Sequence, residues 1–392
     1  MKAGILGACA GLGLGLSVVC ASSAAMAATI SVHEGESIQA AVDTAKAGDT
    51  VQVYPGTYTE AALSGPAVHI TKALKLKAKV SKAEREAGVK VLLLAGVGQD
   101  DGILAEGPDA SHPIDGVQIK GFTIQGFPNN GIHLRYTTKF KIEDNTSINN
   151  LENGIWPTLS ANGLVKHNVA YGSEDSALWV EASDNVRVLN NEFSFSPTGL
   201  EVTVSNNVYM KGNNVHHNTV GVGFYHPNAA SLPPLAEMAD WTFKSNWVHD
   251  NNEPNSAPPT SMSGALPAGG GILVMGTDNG TFDKNTVENN DFYGVAVIDY
   301  CSAVVGTDFN CTDSPPIVDE FPDVNKFRGN VFTGNGTNPD PSHALADYAA
   351  DITYIMFEPG HYNCFAKNNT YTTREYVTGI GYPPVWNGAT CN

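Results

Sequence analysis

The chain is short of positive charge. Its 392 residues include 22 Lys and Arg against 40 Asp and Glu, for a net charge of -18. That balance argues against a nucleic-acid partner, whose phosphates need clustered cations, and against long-range attraction of any polyanion, while leaving room for a local basic pocket. Cysteines are few. Two of the six lie in the first 20 residues, leaving Cys301, Cys311, Cys364 and Cys391. An even number in an exported chain predicts two disulfides. The local pairings Cys301–Cys311 and Cys364–Cys391 are expected, since the first would bracket an inserted loop, and a zinc site is the alternative. Beyond the N-terminus there is no apolar run long enough to cross a bilayer, and no Pro-, Gly- or Ser-rich linker divides the chain.

The first 27 residues stand apart. One early Lys precedes an apolar run rich in Gly, Leu and Val, which ends at Ala25-Met26-Ala27 before Ala28. This reads as a secretory signal with an A-x-A cleavage site rather than a membrane span. A lipid anchor at Cys20 is the weaker alternative, because the bulky Val19 precedes it. The expectation is a signal peptide over 1–27 and a single domain over 28–392, secreted or periplasmic, monomeric and without a membrane span.

The domain is organised by a period. Asn145, Asn168, Asn191 and Asn214 lie 23 residues apart, and a small residue followed by an apolar one recurs at Gly131-Ile132, Gly154-Ile155, Ala177-Leu178, Gly199-Leu200 and Gly221-Val222. The series continues at Asn246, Asn285, Asn330 and Asn369, with intervals of 32, 39, 45 and 39 residues that signal inserted loops. A repeat near 23 residues is too short for a helical pair but suits three short strands and their turns, and the consensus of a leucine-rich repeat is absent. No such unit can bury its apolar side alone, so units stack. Asn suits the turns because it tolerates left-handed angles and its amide can bond the equivalent Asn one coil away. The fold class this predicts is all-β: a single-stranded right-handed parallel β-helix of about ten or eleven coils, counted from the repeat length. At its start, Ser37 is placed to cap a short helix bearing Ile38, Ala41 and Val42 on one face. Such a helix would cover the open first coil.

The segment SIQAAVDTAKAGDTVQVYPGTYTE resembles the opening of the pectin-lyase-like superfamily of right-handed β-helix proteins, and the later Gly-Ile/Leu and Asn-x-Val repeats are similar to its parallel β-helix repeat. The resemblance extends over nearly the whole mature chain and implies the fold. It does not fix an activity, because the fold hosts many chemistries. The Gly-His-Gly and Arg-Ile-Lys pair of polygalacturonases, the Asp-Pro-His of mannuronan epimerases and the Arg-x-Pro-x-x-Arg of pectate lyases are all missing.

Strand parity selects candidate residues. In GIHLRYT, GIWPTLS, ALWVEAS, GLEVTVS and GVGFYHP the second and fourth residues point inward and the third and fifth outward. The outward set includes His133, Arg135, Trp156, Trp179, Glu181, Glu201 and Tyr225. Trp156, Trp179 and Tyr225 are expected to bind substrate, flat rings being suited to the C–H faces of sugars, and exposed aromatics mark binding faces. Glu181 and Glu201 are expected one coil and two residues apart, about 8 Å on the diagonal. That range suits paired glycosidase acids. His133 and Arg135 are further catalytic candidates. With Tyr225 they have the residue types of a uronate lyase, but Tyr225 lies four coils away, about 19 Å. Three residues after the repeated Asn come His217, His249 and Glu288, which could stack as metal ligands, so a divalent metal such as Ca2+ is a candidate cofactor. Insertions at 228–240, 252–269 and 302–323 rim the Tyr225 end of the same face, where long loops commonly build a site. The functional expectation is a protein that engages polysaccharide, as a glycoside hydrolase or polysaccharide lyase. The alternative is a non-catalytic β-helix that binds glycan, partner or metal.

Overall fold

The computed structural model describes residues 27–61, 64–226, 238–300, 319–343, 345–356, 362–372 and 385–386. The N-terminal segment up to residue 26, Cys301, Cys311, Cys391 and most of two predicted insertions lie outside them, and so do both expected disulfide pairings. None of the described helices is long and apolar enough to cross a membrane.

The chain is a right-handed parallel β-helix. Among the described residues, its three long parallel sheets contain 13, 11 and 10 strands, and a short parallel pair stands beside them. A regular coil contributes one strand to each long sheet, and pairing runs between equivalent strands of successive coils. In the second sheet Val169 pairs with Thr146 and then with Glu192, a strict 23-residue step.

What fixes the register is a column of buried asparagines. Amide-to-amide hydrogen bonds run from Asn145 to Asn168, Asn191, Asn213, Asn246, Asn285, Asn330 and Asn369 at 2.9–3.1 Å. Each amide also reaches a main-chain carbonyl inside the turn, as Asn168 Nδ2 does to Ile142 O at 2.9 Å. One rung differs from the predicted series: Asn213, not Asn214, occupies it. The coil before it is one residue short, so Glu192 pairs with Asn214. A second column joins Asn218, Asn251, Asn290 and Asn335. It explains the recurrent small residue, because a Cβ at Gly221 would stand 2.7 Å from Asn251 Nδ2.

The interior is filled by one apolar residue from a short strand and two from a longer one, such as Ile142 alone and Ile132 with Leu134. Rings stack along the axis, Phe282 on Phe327 and Phe327 on Phe365, each at 4.3 Å and 5°. Each such buried side chain contributes about 1.5–3 kcal/mol. The open first coil is closed by the helix Ile38–Thr44, with Ile38 and Val42 buried beneath it. Ser37 caps that helix as expected. Glu60 completes the cap by accepting from Ser37 Oγ at 2.6 Å and from Ile38 N at 2.7 Å.

Candidate functional site

The third sheet runs from Val68–Ile70 to Ala350–Ile355, and its outer face collects the predicted residues. His133 pairs with Trp156, Trp179 with Glu201, and Glu201 with Gly223. Beside this column, Arg135 pairs with Thr158, Thr158 with Glu181, Glu181 with Thr203, and Thr203 with Tyr225. Glu181 and Glu201 are therefore one coil and two residues apart, about 8 Å between backbones at ordinary strand spacings.

The aromatic column is a continuous stack. His133 lies on Trp156 at 4.3 Å and 14°, and Trp156 on Trp179 at 5.2 Å and 8°. Both tryptophans are half-buried rather than freely exposed. Trp179 is pinned by Nε1 donating to Thr203 Oγ1 at 2.7 Å. His133 Nδ1 meets Asp101 Oδ2 at 3.1 Å. Burial opposes ionisation of Asp101, but the contacts to His133 and Asn130 outweigh it and hold its carboxyl below the ordinary range. Arg135 is engaged elsewhere, with Glu106 at 3.1 Å.

The acids lie deeper than strand parity alone implies. Glu181 is 7 % exposed and Glu201 6 %. Burial raises the Glu181 carboxyl, against a 2.8 Å hydrogen bond from Thr158 Oγ1. Glu201 is raised well above the usual value by burial and then by the charge of Asp175, while Ser176 Oγ donates to it at 2.5 Å. Asp175 is itself raised by burial and accepts from Ser263. Ser263 belongs to the insertion at 252–269, so that segment straps across the face and docks on Asp175. Glu152, raised by burial and then by the charges of Asp101 and Asp175, completes an acidic group.

Tyr225 belongs to this group. Its ring lies over Gly223, the ladder partner of Glu201, where a Cβ would stand 2.1 Å from the hydroxyl. Burial, then the charge of Glu201, pushes its hydroxyl well up. Among the described residues, two buried polar atoms of this face have no hydrogen-bond partner, His133 Nε2 and the Tyr293 hydroxyl, whereas the Trp156 indole bears on Glu181 and the Thr198 hydroxyl on that of Tyr225.

Asp175, Ser176 and Thr198 escape a simple alternation rule. Ala177-Leu178 and Gly199-Leu200 are consecutive buried pairs, and a Cβ at Gly199 would meet the inner amide of Asn218 at 2.7 Å. Two inward residues in a row shift the parity, as at a β-bulge. Ser176 thereby returns to the outer face three residues before Trp179. The signal available in the sequence was the small-apolar doublet itself.

The proposed metal column is rearranged by the 22-residue coil. His216, not His217, pairs with His249, which pairs with Glu288. His249 meets Asp250 at 2.6 Å and Asn214 at 3.0 Å, and Glu288 accepts from Trp247 at 2.7 Å. Among the described residues, no group of three or more His, Cys, Asp or Glu side chains is placed to hold a metal ion. The structure does not gather His217, His249 and Glu288 into one ligand set.

A profile described as the right handed beta helix region matches residues 101–233. No curated protein matches the sequence. Among solved structures, the chain is similar to the A-module of the mannuronan C-5 epimerase AlgE4 of Azotobacter vinelandii, at 14% identity and a TM-score of 0.58, over 90% of this chain and 94% of that one. It is also similar to the DFA-IIIase of Arthrobacter chlorophenolicus A6, at 14% identity and a TM-score of 0.51, over 90% of this chain and 80% of that one. At these identities the likeness is one of fold.

Proposed function

We propose that this chain engages a neutral polysaccharide along its third sheet and hydrolyses a glycosidic bond there. The observation that carries the reading is the placement of Glu181, Glu201 and Asp175 beside the His133–Trp156–Trp179 stack on one face. Glu201, the more strongly raised carboxyl, retains its proton and donates it to the glycosidic oxygen. The C–O bond breaks with its electron pair going to that oxygen. Glu181 accepts the proton of the water that adds at the anomeric carbon. Two carboxyls held in unlike environments are the usual basis for dividing acid and base roles. The unpartnered polar atoms of the face suit sugar hydroxyls, since buried polar groups left unpaired are costly.

Charge separates hydrolase from lyase. Among the described residues of the two outward columns, Arg135 is the single Lys or Arg, and Glu106 occupies it. A uronate would bring its carboxylate to a buried acidic face with no free Lys or Arg among its described residues to receive it, so a neutral sugar fits better. The epimerase neighbour is named for a polysaccharide, mannuronan, which supports engagement of a polysaccharide but neither a neutral sugar nor the reaction. Export is part of the proposal and rests on the N-terminal segment and the four mature cysteines, and we take the protein to act as a monomer.

Reducing-sugar release over a panel of neutral and uronate glycans tests the reading. Activity should be confined to neutral substrates, and Glu201→Gln should lower it by about 100-fold or more, the scale of general acid catalysis. The near-closure of Glu201 under the strap favours a second reading, a non-catalytic glycan binder. If the double variant Glu181→Gln, Glu201→Gln binds and processes glycan as wild type does, the paired-acid mechanism is wrong.

A further inference from the structure

Past Glu201 the outer face of the third sheet changes character. In the Glu201 column, Gly223 is followed by Leu273, Ala296 and Thr353; in the other, Tyr225 is followed by Met275, Ile298 and Ile355. The strap supplies a roof from Met262, Leu266 and Pro267, and His343 and Leu345 close the far side. Together they bound a cavity of about 120 Å³.

No carboxylate or ammonium group lines this space. Two of its polar side chains are already engaged: Thr353 Oγ1 donates to Tyr348 O at 2.7 Å, and His343 Nδ1 accepts from Leu345 N at 3.2 Å. The occupant is therefore uncharged and apolar. Its size follows from volume, since a dry cavity of about 150 Å³ lined by Leu, Ile and Phe takes one benzene. Its shape follows from the walls. Phe292 meets Tyr293 at 5.2 Å and 58°, and His343 meets Phe292 at 5.1 Å and 64°, which leaves ring edges and the Met262 and Met275 side chains along the cavity. Edge-to-face and sulfur contacts favour an aromatic guest.

Position says what the ring is attached to. Leu273 stands two coils beyond Glu201, about 10 Å along the axis, and Trp179 stands one coil before it. Glu201 thus lies between the tryptophan stack and the cavity, with Glu181 on the Trp179 strand. Tyr293 joins the two regions: it lines the cavity, and its unpartnered hydroxyl packs over Gly270. We infer that the cavity is a subsite for a single aromatic ring carried on the leaving side of the glycosidic bond, so that the substrate is a glycan bearing an aryl substituent. This rests on the hydrolase reading above.

Benzene is the first probe, titrated into the full chain with the methionine methyls labelled for NMR. Met262 and Met275 should shift and show contacts to benzene, while Met210, in the solenoid core, should not. Ala296→Leu fills the floor of the cavity and should weaken benzene binding at least tenfold with the unliganded spectrum otherwise retained. With aryl glycosides the same variant should raise KM and spare methyl glycosides. No benzene contact at Met262 and Met275 in the wild-type protein overturns the subsite, and that measurement needs no variant to fold. Equal loss on aryl and methyl glycosides also overturns it. Benzene bound in the cavity of a protein that cleaves no glycoside would leave an aromatic site standing and refute the hydrolase reading instead.

Discussion

Replacing Asn191 with Ala removes four hydrogen bonds at once. Its Nδ2 donates to Asn213 Oδ1 at 3.0 Å and to Val165 O at 3.1 Å, and its Oδ1 accepts from Asn168 N at 2.9 Å and Asn168 Nδ2 at 3.0 Å. Not all four partners are stranded. Asn168 Nδ2 keeps Ile142 O, and Asn213 Oδ1 keeps the Asn191 main-chain N–H. Val165 C=O keeps its place in the parallel ladder with Arg187–Leu189, so Asn168 N–H is the buried main-chain group left unsatisfied. At about 1–3 kcal/mol for that group and about 1 kcal/mol for the Val165 bond, the loss is about 2–4 kcal/mol. That is a large share of the ~5–15 kcal/mol that usually holds a domain together. The comparator is Asn162→Gly, which removes an exposed side-chain rung to Asn185 while tolerating the φ of 55° at that position. It should cost below about 1 kcal/mol. Urea midpoints followed by circular dichroism and tryptophan fluorescence give the difference. If Asn191→Ala loses no more than Asn162→Gly, the buried amide column is not what holds the coils in register.

Two further outcomes are expected. Glu201 has a raised carboxyl in the folded state, so the folded chain binds its proton more tightly than the unfolded chain does; stability from this group is intact below the ordinary value of 4.5 and falls as pH rises from there through the folded value. Glu201→Gln should remove that fall and be the more stable protein at neutral pH relative to pH 4, and a parallel pH dependence of the two urea midpoints would contradict the burial argument. Gly223→Ala places a methyl where the Tyr225 ring lies and should cut glycosidase turnover by about 100-fold, the cost of a 1 Å misplacement. Wild-type turnover in that variant would remove Tyr225 from the site.

Much of this was legible in the sequence, for a physical reason. A solenoid turns sequence periodicity directly into lateral adjacency, so the spacing of Asn145, Asn168 and Asn191 and the outward parity of Trp156, Trp179, Glu181 and Glu201 translate into the sheet without knowledge of distant contacts. The failures arise where something interrupts the count. One deleted residue before Asn213 moves the imidazole beside His249 from His217 to His216. The double inward step at Ala177-Leu178 hides Ser176 and its neighbour Asp175. Burial of the acids was not legible, because it depends on where the strap folds back, and the Ser263–Asp175 bond spans 88 residues.

The amide column has a consequence for how such a protein can change. Its bonds keep lengths of 2.9–3.1 Å whether 23, 33, 39 or 45 residues intervene. The spine is indifferent to what is spliced between its vertebrae. Straps over the working face can therefore be lengthened, traded or redesigned for a new guest while the barrel behind them keeps its alignment.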